Sequence, residues 1–71
     1  MTEFTNSAFI RSHGRDPKGR GSWGFQMTST YSAYDRDLYG PVWFAPGSCT
    51  LTEAKEAARA RFGHALVAVL P

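Results

Sequence analysis

The chain has 71 residues and a net charge of +2, which leaves room for one small domain burying only about 60% of the surface its unfolded chain exposes. A single cysteine, Cys49, excludes an intramolecular disulfide and a cysteine-based zinc site and fits a reducing compartment. The first residues, MTEFTNSAF, lack a basic run followed by an apolar one, and the longest apolar stretch, Ala65 to Leu70, is too short to span a bilayer, so a soluble, intracellular chain with no membrane partner is expected.

Residues 3–11, EFTNSAFIR, alternate loosely: a regular strand puts Phe4, Ala8 and Ile10 on one face and Phe9 on the other. Residues 12–21, SHGRDPKGRG, are a loop by their glycines, proline and charges. Residues 22–30, SWGFQMTST, alternate more cleanly, with Trp23, Phe25 and Met27 on one face and Gly24, Gln26 and Thr28 on the other. Together the two strands read as a hairpin with a long basic tip. Residues 31–41, YSAYDRDLYGP, fit a loop, a short helical turn or an extension of the second strand. Residues 42–45, VWFA, form a short strand of high β propensity closed by Pro46 and Gly47.

The segment from Thr50 to Leu70 is the most legible. Thr50 and Glu53 have the spacing of a capping box, in which each side chain satisfies the other residue's backbone N–H. Leu51, Ala54, Ala58 and Phe62 recur every three or four residues and share one helix face, and Gly63 stands where a helix ends in a left-handed residue. Arg59 and Arg61 complement the negative end of the helix dipole. An apolar strand follows at once. The order β-β-β-α-β predicts a two-layer α+β domain, an antiparallel sheet of about four strands with one helix on one face. Leu66, Val67, Ala68 and Val69 are apolar in succession, so both faces of the last strand are expected to be covered: one by the helix, the other by aromatic side chains, a second copy or a partner.

Function is less legible than fold. Arg11, Arg15, Lys18 and Arg20, opposed only by Asp16 and lying beside His13 and Trp23, put mobile cations on a glycine-rich tip suited to phosphate contacts. The plain alternative is that hairpin tips are charged and glycine-rich because they turn in water. No recognition helix accompanies the cations, so base-specific readout is not expected. Gly14 to Gly21 has the glycine spacing of a phosphate-binding loop, but Arg20 and Gly21 occupy the Lys and Ser/Thr positions and a strand follows, so no nucleotide site is expected. Cys49 precedes a helix N-terminus, yet its possible bases are His13 and His64, and His64 lies beyond the far end of that helix, about 18 Å away. No catalytic residue, metal or cofactor is therefore expected. Ten aromatic residues are many for a chain of this size. Tyr31, Tyr34 and Tyr39, with Asp35 and Asp37 among them, read either as cover for a sheet face or as an interface patch, since tyrosine offers large contact area for few lost rotamers.

The helix entry Ser48-Cys49-Thr50-Leu51-Thr52-Glu53-Ala54-Lys55, with the alanine-rich helix and immediate return strand as far as Leu70, resembles the S-L-x-[EQ]-A-K pattern of several very small phage-encoded proteins, among them anti-CRISPR proteins directed against multisubunit type I effector complexes. The resemblance implies a sheet with one helix and a non-enzymatic, stoichiometric inhibitor acting in the bacterial cytoplasm, bound to a Cas subunit and blocking target DNA. It assigns no binding residue. In that setting the basic loop would meet acidic protein, guide RNA or DNA, and Tyr34, Asp35 and Asp37 would meet a lysine-rich subunit. The other function expected is a small nucleic-acid-binding module using the loop on phosphates; either is compatible with a monomer or a homodimer.

Overall fold

The strand expected over residues 3–11 ends after three residues. A computed structural model describes residues 1–70, and there β1 (Glu3–Thr5) gives way at Asn6 to a helix, α1 (Ser7–His13). A strand would have sent Ala8 and Phe9 to opposite faces, whereas a helix sets them about 100° apart. Both turn inward and are buried. Gly14, at φ 72°, closes the helix by donating its N–H to the Ile10 carbonyl at 2.7 Å, in the left-handed conformation that glycine adopts most cheaply.

The remaining elements are β2 (Arg20–Gly21), β3 (Gly24–Thr28), a 3-10 turn over Asp35–Asp37, β4 (Leu38–Phe44), β5 (Cys49–Thr50), α2 (Leu51–Phe62) and β6 (Leu66–Val69). The class is α+β. A four-stranded sheet runs in the order β1-β6-β3-β4, and β2 pairs with β5 in a small antiparallel ladder. β3 is antiparallel to both of its neighbours, but β1 runs parallel to β6. The all-antiparallel sheet with a single helix is thus corrected to a mixed sheet with two, and residues 3–11 and 22–30 form no hairpin.

The physical reason lies in β6. Val67, Ala68 and Val69 are all fully buried, and a strand apolar at consecutive positions is stable only between neighbours with both faces covered. β6 therefore takes the central place beside β3 and displaces β1 to the edge. On one face Val67 and Val69 join Phe25, Ala54 and Ala58 in the main core. On the other, Ala68 meets Ala8 of α1 and Ala33. That second cover comes from the chain itself, where aromatic side chains, a second copy or a partner had been expected.

α2 forms as read. The Thr50 N–H donates to Glu53 Oε1 at 2.9 Å, the Glu53 N–H donates to Thr50 Oγ1 at 3.2 Å, and the Gly63 N–H donates to the Arg59 carbonyl at 3.0 Å. Ala54 and Ala58 let the helix lie close enough for Phe25, Val67 and Val69 to be sealed from water, each burial contributing about 1.5–3 kcal/mol. Hydrogen bonds from the Thr50 backbone N–H and then its hydroxyl, with Arg20 nearby, hold the Glu53 carboxyl below the usual carboxylate range. A lowered folded value makes the contribution complete above the unfolded value of about 4.3 and lost as pH falls through the folded one. Glu53→Gln is accordingly expected to lower the Tm at pH 7 and to converge with the parent as pH falls through the lowered folded value. A Tm difference unchanged over that fall in pH, measured by circular dichroism, would show that the ionised carboxylate is not the source.

Residues 31–41 prove to be a turn, a 3-10 turn and then the start of a strand. β4 begins at Leu38, earlier than the Val42 expected, and ends at Phe44. Its pairing with β3 is irregular between Phe25 and Met27, where Gly40 sits at φ 78° and its carbonyl accepts from Gln26 Nε2 at 2.7 Å. An extra length of chain is accommodated there without breaking the sheet.

Candidate functional site

The segment after β3 crosses the second sheet face and is fixed by a residue the sequence had placed elsewhere. Thr28 Oγ1 donates to the Thr30 carbonyl at 3.1 Å, and the Ala33 N–H donates to the same carbonyl at 3.2 Å. Ala33 is fully buried with φ 46°, a left-handed conformation that strains a non-glycine residue by about 1–2 kcal/mol. Arg11 holds it there. Its Nη1 donates to the Ala33 carbonyl at 3.1 Å and its Nη2 to the Ser32 carbonyl at 2.7 Å. A planar guanidinium fork can serve two adjacent carbonyls in one orientation, which a lysine cannot do.

The same guanidinium lies 3.8 Å from the centre of the Tyr34 ring, and the Arg36 guanidinium lies 4.9 Å from it. Both distances fall within the range in which a cation is attracted to an aromatic face. Asp37 secures the other side of the turn: its carboxylate accepts from the Tyr34 N–H at 3.1 Å, and its own N–H donates to the Tyr34 carbonyl at 2.8 Å. Arg11, Tyr34, Asp35 and Arg36 line a shallow depression of about 350 Å³. Tyr31 belongs to the same region. Its phenol donates to Glu3 Oε1 and its carbonyl accepts from Thr5 Oγ1. The bond to the Glu3 carboxylate, then desolvation and the negative charge of Glu3, raise the phenol above a tyrosine's ordinary value.

Five residues singled out in the sequence therefore meet on one side of the molecule: Arg11, Tyr31, Tyr34, Asp35 and Asp37. The basic segment, by contrast, is dispersed. Arg11 leaves it for the turn at 32–34, and Arg20 sits on β2 with Nη1 3.8 Å from Glu53 Oε1. Both partners of that pair are more than half exposed, so its contribution is small. Arg15 and Lys18 stay exposed in the loop, opposed by Asp16. His13 ends α1 with its ring stacked on Phe9 at 4.1 Å. Trp23 must be withdrawn from the surface: it is 6% exposed, packs on Phe9 at 5.8 Å, and donates Nε1–H to the Cys49 carbonyl at 2.9 Å. A large aromatic body with one polar atom is well suited to such a place in a small core.

Two features escaped the sequence reading. Arg36 was passed over because its value depends on where Tyr34 points, which local sequence does not encode. The run VWFA was read as one apolar strand, yet Val42 is 46% and Phe44 63% exposed, with Trp43 and Ala45 turned to the core. Alternation within VWF was the available signal.

No protein-family model, curated protein or solved structure matches the chain. Among the described residues no helix is long and apolar enough to cross a membrane.

Proposed function

We propose that this chain is a non-enzymatic protein-binding inhibitor that engages its partner through Tyr34 and the Arg11, Asp35 and Arg36 side chains around it. The observation that carries the reading is the pinned ring: two guanidinium groups and the Asp37 hydrogen bonds fix Tyr34 beside a shallow depression while it stays 44% exposed. Tyrosine and arginine dominate interface hot spots. Side chains already held in place lose little entropy on binding. The resemblance of Ser48 to Leu70 to anti-CRISPR proteins supports a more specific partner, a subunit of a type I CRISPR-Cas effector complex, with target DNA binding blocked as the outcome.

The test is binding to a purified type I effector by calorimetry or interferometry. Tyr34→Ala is expected to weaken binding by at least about 30-fold, the scale of a hot-spot residue, whereas Arg15→Glu with Lys18→Glu leaves it unchanged. An absence of binding to any effector removes that partner. Salt-sensitive binding to free DNA, lost on reversing Arg15 and Lys18, replaces this reading with the nucleic-acid module.

A further inference from the structure

Among the described residues β4 is an outermost strand of the sheet, bonded to β3 on one side only. The hydrogen bonds at its C-terminal end fix which backbone groups are free. The Ala45 N–H donates to the Trp23 carbonyl at 2.9 Å, and the Gly24 carbonyl accepts from the Leu70 N–H at 2.9 Å on the β6 side. Gly24 and Phe44 are directly opposite each other, so theirs is a pair that exchanges no bonds, and the N–H and C=O of Phe44 point away from β3. Val42, Trp43 and Phe44 still alternate in exposure, so the same orientation reaches Val42, at which the register shift against β3 begins. Pro41, the one residue of β4 without an N–H, lies within the register shift and outside the run from Val42 to Phe44.

The side chains at these two positions are the exposed apolar ones. The Phe44 ring lies across Gly24: a Cβ there would stand 2.8 Å from Phe44 Cε1. Phe44 is thereby fixed in position while 63% exposed, with Val42 46% exposed two residues before it. Natural sheets normally protect a free edge with charge, especially lysine. Here no charged residue occurs from Leu38 to Thr52, so two identical copies of a net-positive chain can approach along this edge without repulsion between like charges.

We propose that β4 pairs antiparallel with β4 of a second copy about a two-fold axis at Trp43, joining two four-stranded sheets into one. This register sets Val42 opposite Phe44 of the second copy and Phe44 opposite its Val42. Both are then hydrogen-bonded pairs that use all the outward N–H and C=O groups of these residues, and both are aromatic with β-branched pairs, a favourable cross-strand combination. A partner with a different sequence has no reason to supply this match; a second copy supplies it by symmetry. The Tyr34 surface uses other residues, so the dimer stands or falls independently of the proposed function.

Sedimentation equilibrium from about 1 μM to about 1 mM is expected to show a reversible dimer, because an edge contact of this small size belongs to the weak class of interfaces. Amide hydrogen exchange at Val42 and Phe44 is expected to slow as concentration rises, with exchange across β6 unchanged. Val42→Lys is expected to leave the Tm near the parent's and to weaken dimerisation at least about 30-fold by placing a cation against Phe44 of the second copy. A parent that stays monomeric over the whole range overturns the proposal, as does a dimer in which the Val42 and Phe44 amides exchange freely. A monomer whose edge amides are protected only by an added extended peptide overturns it too and assigns the edge to a foreign strand.

Discussion

Ala58→Asp is expected to remove a large part of the stability of the fold, about 3–5 kcal/mol. Ala58 is fully buried on the face of α2 that meets Phe25, Val67 and Val69. At about 0.05–0.15 kcal/mol per residue, a domain of this length has a total stability of about 4–10 kcal/mol. An unpaired carboxylate in an apolar site costs several kcal/mol, about 3–5 by comparison with broken buried ion pairs. The penalty should have a pH signature. Burial raises the carboxyl of the new aspartate, so the loss is greatest above its folded value and shrinks as acid neutralises it. Urea titrations at pH 7 and pH 4 check both points, with Ala58→Ser as a control of similar size that carries no charge. A parent-like midpoint for the aspartate variant would mean that α2 presents a different face to the sheet.

The orientation of α2 was legible because each of its determinants is local. The Thr50–Glu53 box, the spacing of Ala54 and Ala58 and the stop at Gly63 lie within a few residues of what they control. The first third of the chain has no such determinants. Asn6 makes no side-chain cap bond to α1, and a helix of seven residues is too short to be stable alone. What holds it is distant: Phe9 against Trp23, Ala8 against Ala68, and Arg11 on the turn at 32–34. The parallel pairing of Glu3, Phe4 and Thr5 with Leu66, Val67 and Ala68 likewise links the two ends of the chain, and nothing in either segment announces its partner.

The candidate site divides along the same line. Tyr31, Tyr34, Asp35 and Asp37 are close in sequence, and a patch was foreseeable from composition. The arrival of Arg11 was not, because its charge had grouped it with Arg15, Lys18 and Arg20 in one supposed hairpin tip. Once residues 7–13 are helical, those four side chains diverge: Arg11 turns to the Tyr34 ring and Arg20 to Glu53. Trp23 was misassigned because its aromatic surface fits a core and an interface equally well. Its indole hydrogen bond to the Cys49 carbonyl decides for the core.

Arg11→Ala is the change expected to affect both fold and recognition. It removes two charge-assisted hydrogen bonds to the carbonyls of Ser32 and Ala33 and the cation beside Tyr34. Hydrogen bonds to charged groups contribute about 1.5–3 kcal/mol each when well shielded. Arg11 is largely exposed, so each bond falls to the ordinary net value of about 1 kcal/mol, and the summed loss should be about 2–3 kcal/mol with the cation–π contact included. The strain at Ala33 gives a way to tell clamping from general packing. In the Arg11→Ala background the turn can relax out of the left-handed conformation, so Ala33→Gly should give less stability there than in the parent, where the fork holds the strained residue and glycine frees it of its whole Cβ penalty. Binding through Tyr34 should remain lost in the double variant, because glycine does not return the guanidinium to the ring. Equal effects of Ala33→Gly in the two backgrounds, with unchanged amide exchange at Ala33 and Tyr34, would show that Arg11 is a surface charge that restrains neither.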